Sequence, residues 1–220
     1  MAAVVESPPG IETLADLLDQ LGGISPARVR IRPPLGTATV DDLIKISRRE
    51  GRLFELVDGV LVEKAMGYRE SVLALALGEF LRRFVVPKNL GIVSGADGLV
   101  RLFGSLVRIP DVAFASWERL PEGRIPDEPA PHLAPNLAAE ILSESNTPRE
   151  MQRKCSEYFG AGVELVWLVD PRARTVGVYT GPQDCTPLGE SATLTGEPVL
   201  PGFKLPLRDL FAELDRAAHA

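Results

Sequence analysis

Asn136-Leu-Ala-Ala-Glu-Ile-Leu142 and Val163-Glu-Leu-Val-Trp-Leu-Val169 are dense apolar runs of strand length. Both read as buried strands. Between them, the turn-prone Ser143-Glu-Ser-Asn146 leads into a helix over about 148–160, with Thr147 as N-cap, Pro148 at its first position, Glu150 at its third and Gly160 near its end. Asp170-Pro171 stops the second strand, and Arg174-Thr-Val-Gly-Val-Tyr179 returns beside it as a hairpin. Strand, helix and strand thus follow one another in the middle of the chain.

Working outward, residues 184–207 are turn-rich, with short strands at most, and 207–215 read as a closing helix. Upstream, residues 116–136 carry Pro121, Pro126, Pro129, Pro131 and Pro135 and form a long loop. Loops of that length are usually functional or disordered. Residues 90–115 alternate and are broken by Gly95, Gly98 and Gly104, which suggests strands near 91–95, 98–102 and 106–115. Residues 68–86 hold the longest helical pattern. Its wide apolar face (Val72, Leu73, Leu75, Ala76, Leu77, Phe80, Leu81 and Phe84) predicts a mostly buried helix. Asp58-Gly59 joins two alternating runs, predicting a hairpin with strands near 52–57 and 60–65. Thr39 caps a short helix before it, with acids in the first turn. Arg28-Val-Arg-Ile-Arg32 puts three arginines on one face if extended. That face suits phosphate contacts, but the favoured reading is a charge-protected sheet edge. Ile11, Leu14, Leu18 and Leu21 share one face of a first helix that ends at Gly22-Gly23. Strands and helices mix within one chain of single-domain size, so an α/β or α+β layer fold follows.

At 220 residues, the chain is long enough to bury a core without disulfides or a structural metal. Hydrophobic residues make up 45% and charged residues 25%, which excludes bulk disorder and a coiled coil. No apolar stretch is long enough to span a membrane, and Met1–Glu6 lacks the basic and apolar regions of a secretory signal. A cytoplasmic location, with no membrane partner, is expected. The formal charge of −6 argues against a nucleic-acid coat protein but allows an enzyme with a local basic groove. Cys155 and Cys185 make neither a zinc site nor a disulfide framework, and His132 and His219 cannot form a histidine-metal cluster.

Three acids lie inside apolar strands: Glu55 in Leu53–Val57, Asp111 in Val107–Phe114, and Glu140 in Leu137–Leu142. Acidic side chains are rarely buried unless paired or bound to a metal. Asp111 and Glu140 without thiol or imidazole partners make a hard oxygen site, which prefers Mg²⁺ or Mn²⁺. Metal-assisted phosphodiester hydrolysis is the matching chemistry, and it needs a cation nearby. The following helix offers Arg149, Arg153 and Lys154. The plainer reading of each acid is a cap or a salt-bridge partner. Trp167 reads as core and Trp117 as a pin for the long loop. Cys155 reads as a small buried hydrophobe, Tyr158 and Phe159 as the buried side of their helix, and His132 as a solvated loop residue.

The chain resembles the Uma2 family of restriction-type endonucleases, within the PD-(D/E)XK nuclease superfamily. Phe54–Val62, Ile109-Pro-Asp-Val112, Asn136–Ser143, Lys154-Cys-Ser-Glu-Tyr158 and Gly162–Pro171 carry the likeness, which spans roughly residues 37–212. It implies a restriction-endonuclease-like mixed central sheet flanked by helices. It divides the chain into an extension over 1–36 and a nuclease domain over 37–215. Asp111 then matches the family's PD aspartate and Glu140 its (D/E) position. The superfamily's usual lysine would fall at Leu142, and Lys154 on the next helix takes its place. Glu55 matches an acid of the early strand. The implied ligands of Mg²⁺ (or Mn²⁺) are Asp111, Glu140 and the Ile141 carbonyl, with Lys154 beside the reacting phosphate and Arg149 and Arg153 as nucleic-acid contacts. DNA is the expected substrate and a C2 homodimer the expected assembly for double-strand cleavage. The chain departs from the family at Ser143-Glu144-Ser145, at Arg69-Glu70 where a histidine is common, and at Glu150 where an aspartate is usual. The alternative is a non-catalytic binding module on the same fold. A phosphoesterase acting on small nucleotides would use the same metal logic, but no base pocket is legible.

Overall fold

The computed structural model describes residues 11–64 and 67–217. The reading of Met1–Glu6 lies outside them. Five helices, α1 (Leu14–Gln20), α2 (Val40–Glu50), α3 (Tyr68–Val85), α4 (Pro148–Gly160) and α5 (Leu207–Phe211), pack with three sheets. Among these residues no helix is long and apolar enough to cross a membrane.

The first sheet is antiparallel, in the order β1-β3-β2-β6-β5, from β1 (Val29–Arg30), β2 (Phe54–Val57), β3 (Val60–Glu63), β5 (Val100–Arg101) and β6 (Val107–Arg108). Asp58 and Gly59 both take positive φ, 49° and 70°, and close the β2–β3 hairpin as the Asp-Gly pair predicts. The second sheet, in the order β11-β10-β9-β8-β7-β4, contains β4 (Gly91–Ser94), β7 (Val112–Ser116), β8 (Leu137–Ile141), β9 (Leu165–Asp170), β10 (Thr175–Tyr179) and β11 (Cys185–Gly189). Only β8 and β9 run parallel, joined through α4, so this sheet is mixed. A third pair, β12 (Thr193–Gly196) with β13 (Leu200–Pro206), closes over the core.

Alternation along β8 decides where its side chains go. Leu137, Ala139 and Ile141 join the main core with α3, β9, β13 and α5. Ala138 faces the other way, into a smaller cluster with Met151, Cys155 and Tyr158 of α4. Glu140 shares the parity of Ala138 and therefore faces α4.

Several expectations shift. The strand expected over 106–115 is two, because Ile109, Pro110 and Asp111 leave the first sheet at β6 and enter the second at β7. The turn-rich region over 184–207 holds three strands. Helix α1 begins after its cap, Thr13, and buries Leu17, with Leu21 buried at its C-cap, while Leu14 stays exposed; on α3, Leu75 points to solvent rather than to the core. The closing helix ends at Phe211 and passes into a 3₁₀ turn. The edge reading of Arg28–Arg32 holds for Val29–Arg30, which form β1, the outer strand of the first sheet, whereas Arg28 ends a 3₁₀ turn, Pro26–Arg28, and is buried.

Candidate functional site

The two main sheets meet at the segment Ile109–Asp111, and α4 covers the junction. Asp111 straddles Glu140 across the strands. Its N–H donates to the Ala139 carbonyl at 2.9 Å, and its Oδ2 accepts from the Ile141 N–H at 2.6 Å. The two acids expected to act together therefore sit on neighbouring strands, 3% and 4% exposed.

Helix α4 brings polar residues at i, i+4 and i+8 to its buried face: Glu150, Lys154 and Tyr158. Lys154 reaches down between the sheets. Its Nζ lies 3.0 Å from Glu55 Oε1 on β2 and 3.2 Å from both Glu140 oxygens on β8. Tyr158 donates its hydroxyl to Glu140 Oε1 at 2.6 Å. Lys154 thus lies deeper than a helix-edge position, at 3% exposure. Glu55 is further held by Arg108 Nη1 at 2.7 Å and by the Ile109 N–H at 3.2 Å. Arg108 continues to Glu157, whose Oε1 meets Arg153 Nε at 2.7 Å.

These contacts shift the buried groups in different directions. Burial alone would raise the Glu55 carboxyl, but Lys154, Arg108 and Lys64 together hold it well below the usual carboxylate range. Glu140 moves the other way. Burial raises it, and although Lys154 and Lys64 oppose this, the like charges of Asp111 and Glu55 reinforce it. The carboxylates share one ammonium unequally because Glu55 also has Arg108, whereas Glu140 has a carboxylate neighbour. Burial would lower Lys154, but Glu140 and Glu55 raise it, which favours its ammonium form. Tyr158 is raised by burial and by the charges of Glu140 and Glu55, so it remains a donor.

Among the described residues no three His, Cys, Asp or Glu side chains form a metal cage. A hard divalent ion does not need one, since Mg²⁺ usually binds through one or two carboxylates and keeps its waters. Asp111 supplies a fitting donor. Its Oδ1 is buried and accepts no aligned hydrogen bond, although the Lys64 ammonium lies 2.7 Å away. An open groove of about 870 Å³ between α3 and β4 reaches Asp111; Ala74, Gly78, Arg82 and Val93 line it.

Asp111, Glu140, Ile141, Lys154 and Glu55 are therefore brought together. Arg149 and Arg153, the expected nucleic-acid contacts, turn toward the N-terminal segment: Arg149 pairs with Asp19, and Arg153 meets the Gln20 carbonyl at 2.6 Å and Asp58 at 2.8 Å. Arg28 reaches Glu150 on the buried face of α4 in a two-pronged pair, at 2.7 and 3.0 Å. The Thr147 hydroxyl donates to the Gly22 carbonyl at 2.5 Å. Gly22 has φ +94°, and a Cβ there would lie 2.6 Å from the Glu150 backbone, so only glycine fits this approach. Trp117 donates from its indole to the Asn89 carbonyl at 2.9 Å and does pin its loop. Trp167 is fully buried in the core. Arg108 and Lys64 went unnoticed in the sequence, although Val107-Arg-Ile109 carries the same signal as the acids, a charge inside an apolar run.

A mixed sheet with a buried acid pair beneath a lysine-bearing helix places the protein in the α+β class. The family model described as "Uma2: Putative restriction endonuclease" matches residues 39–208, and the chain belongs to that family. A crystal structure described as "a putative nuclease belonging to DUF820", from Anabaena variabilis, shares the fold with a TM-score of 0.70 and 23% identity, over 80% of this chain and 98% of that one. No curated protein matches the chain.

Proposed function

We propose that the protein is a Mg²⁺-dependent endonuclease (Mn²⁺ serving equally) that hydrolyses phosphodiester bonds, with DNA as substrate. One observation carries the reading: Asp111 and Glu140 are buried on adjacent strands, with an Asp111 oxygen left without an aligned donor. Asp111 and Glu140, with the Ile141 carbonyl, would hold the ion. Bound there, it supplies an acidified water and neutralises charge at the scissile phosphate.

The chain's own residues set up this chemistry. Lys154 and Tyr158 fix the Glu140 carboxylate from the α4 side. Glu55 shares the Lys154 ammonium with Glu140 and also holds Arg108. Lys154, held as an ammonium by Glu55 and Glu140, would offer positive charge to the reacting phosphate. The groove along α3 gives a strand access to Asp111, with Arg82 farther along its wall. Arg149, 64% exposed at the side chain, remains able to meet a phosphate, whereas Arg153 is occupied within the protein.

One observation favours a non-catalytic module instead: the Glu140 oxygens are already satisfied by Lys154 and Tyr158. Supercoiled-plasmid nicking separates the two. The endonuclease reading expects nicks with Mg²⁺ or Mn²⁺, none in EDTA, and none from Asp111→Ala. Nicking that survives EDTA or Asp111→Ala overturns it. No nicking in any metal, on any DNA, favours the binding module.

A further inference from the structure

Two lysines enter the acid cluster, and they are held differently. Lys154 is clamped between Glu55 and Glu140. Lys64 follows β3, its backbone N–H tied to the Leu53 carbonyl at 2.9 Å. Its ammonium, on a side chain only 6% exposed, contacts just two groups among the described residues: Asp111 Oδ1 at 2.7 Å and the Ile109 carbonyl. An ammonium has three donors, and the protein sets two acceptors beside this one among the described residues. The Asp111 contact is also poorly aligned, which makes it a charge contact rather than a good hydrogen bond. The Asp111 oxygen that a divalent ion would take is therefore the one that already carries a cation.

We propose that Lys64 is the resident counter-cation of the Asp111 site, standing in for the divalent ion and yielding the oxygen when the ion binds. The inference rests on the metal reading given above. Without a cation, Asp111 would be a buried carboxylate held only by the Ile141 N–H, and burying an unpaired charge is costly. Lys64 removes that penalty in the metal-free protein. The same ammonium opposes metal binding, because two cations cannot share one carboxylate oxygen at contact distance without strong repulsion. Lys64 therefore exchanges metal affinity for stability of the empty fold.

The test is Mn²⁺ titration by calorimetry, without nucleic acid, on the full chain, together with melting temperatures with and without Mn²⁺. Wild type, Lys64→Met, Lys64→Gln and Asp111→Asn are compared. Lys64→Met should bind Mn²⁺ about tenfold more tightly than wild type, from removal of one adjacent positive charge. It should melt lower than wild type in EDTA and recover at saturating Mn²⁺. Asp111→Asn should bind none. A merely structural lysine would give the lower melting temperature without the gain in affinity. If Lys64→Met does not fold, Lys64→Gln, which keeps a polar end, must show the same gain. Wild-type binding with equal or weaker binding in the folded Lys64 variants overturns this inference and leaves the metal reading standing. No Mn²⁺ binding by any variant overturns both. Binding by Lys64→Met alone supports the inference whether or not the protein cuts DNA.

Discussion

Arg28→Met separates two views of the N-terminal segment, as an appendage or as part of the α4 support. Arg28 and Glu150 bury their side chains to 8% and 4% exposure, and the guanidinium also donates to the Glu63 carbonyl at 2.9 Å. Removing one partner of a buried pair strands the other, which costs about 3–5 kcal/mol. That is a large share of an ordinary domain stability of about 5–15 kcal/mol. At roughly 2–4 °C per kcal/mol for a chain of this size, the melting temperature should fall by about 6–20 °C. Asn146 Nδ2 at 3.2 Å is too weak a partner to keep Glu150 satisfied alone. Urea unfolding gives the free energy directly. The double variant Arg28→Met/Glu150→Met should regain much of the loss, since apolar replacement of both partners removes the stranded charge. A loss under about 1 kcal/mol in Arg28→Met would refute the claim that residues 19–28 hold the start of α4.

Glu55→Gln tests the pH consequence of the charge network. The folded carboxyl lies below its ordinary value of 4.5, so its stabilisation is complete above about pH 4.5 and is lost as pH falls below it. Urea midpoints of wild type and Glu55→Gln should be far apart at pH 7 and converge on acidification; parallel curves would contradict this. Tyr158→Phe removes a hydroxyl donated to a buried carboxylate and should cost about 1.5–3 kcal/mol, read by urea unfolding. A neutral effect would mean that Lys154 satisfies Glu140 alone. The Cys155 thiol is fully buried and pushed up to about 12, chiefly by burial, whereas Cys185 is exposed. Ellman's reagent should therefore titrate one thiol in the native protein and two in denaturant. Rapid native reaction of both would contradict the packing of α4.

The strand–helix–strand unit around Glu140 was legible because its residues agree at every level: apolar runs, a capped helix start and a terminal glycine. Asp111 and Glu140 stood out for the same reason that they matter, as acids inside strands. The rest depends on contacts distant in sequence. Arg108 carried a signal of its own but reaches Glu157 across 49 residues, and nothing local announces that pairing. Glu150 lies one turn before Lys154, yet its partner Arg28 is 122 residues away in a stretch whose alternation suggested an exposed edge. The break between β6 and β7 falls where the alternation changes phase: Val107 and Ile109 are apolar at odd positions, Val112 and Phe114 at even ones, and the chain changes sheets between them at Pro110. A proline fits there, where ladder hydrogen bonding is interrupted.

Single-turnover cleavage of a labelled DNA by Glu140→Gln in Mg²⁺ tests the central claim most directly. The substitution keeps the size of the side chain and an oxygen for Tyr158 and Lys154, while removing the charge that would hold the ion. The account predicts a folded protein whose cleavage falls about a thousandfold, from a loss of several kcal/mol of charge stabilisation. Cleavage within about tenfold of wild type would contradict it, because an interaction worth so little could not be a ligand of the catalytic ion.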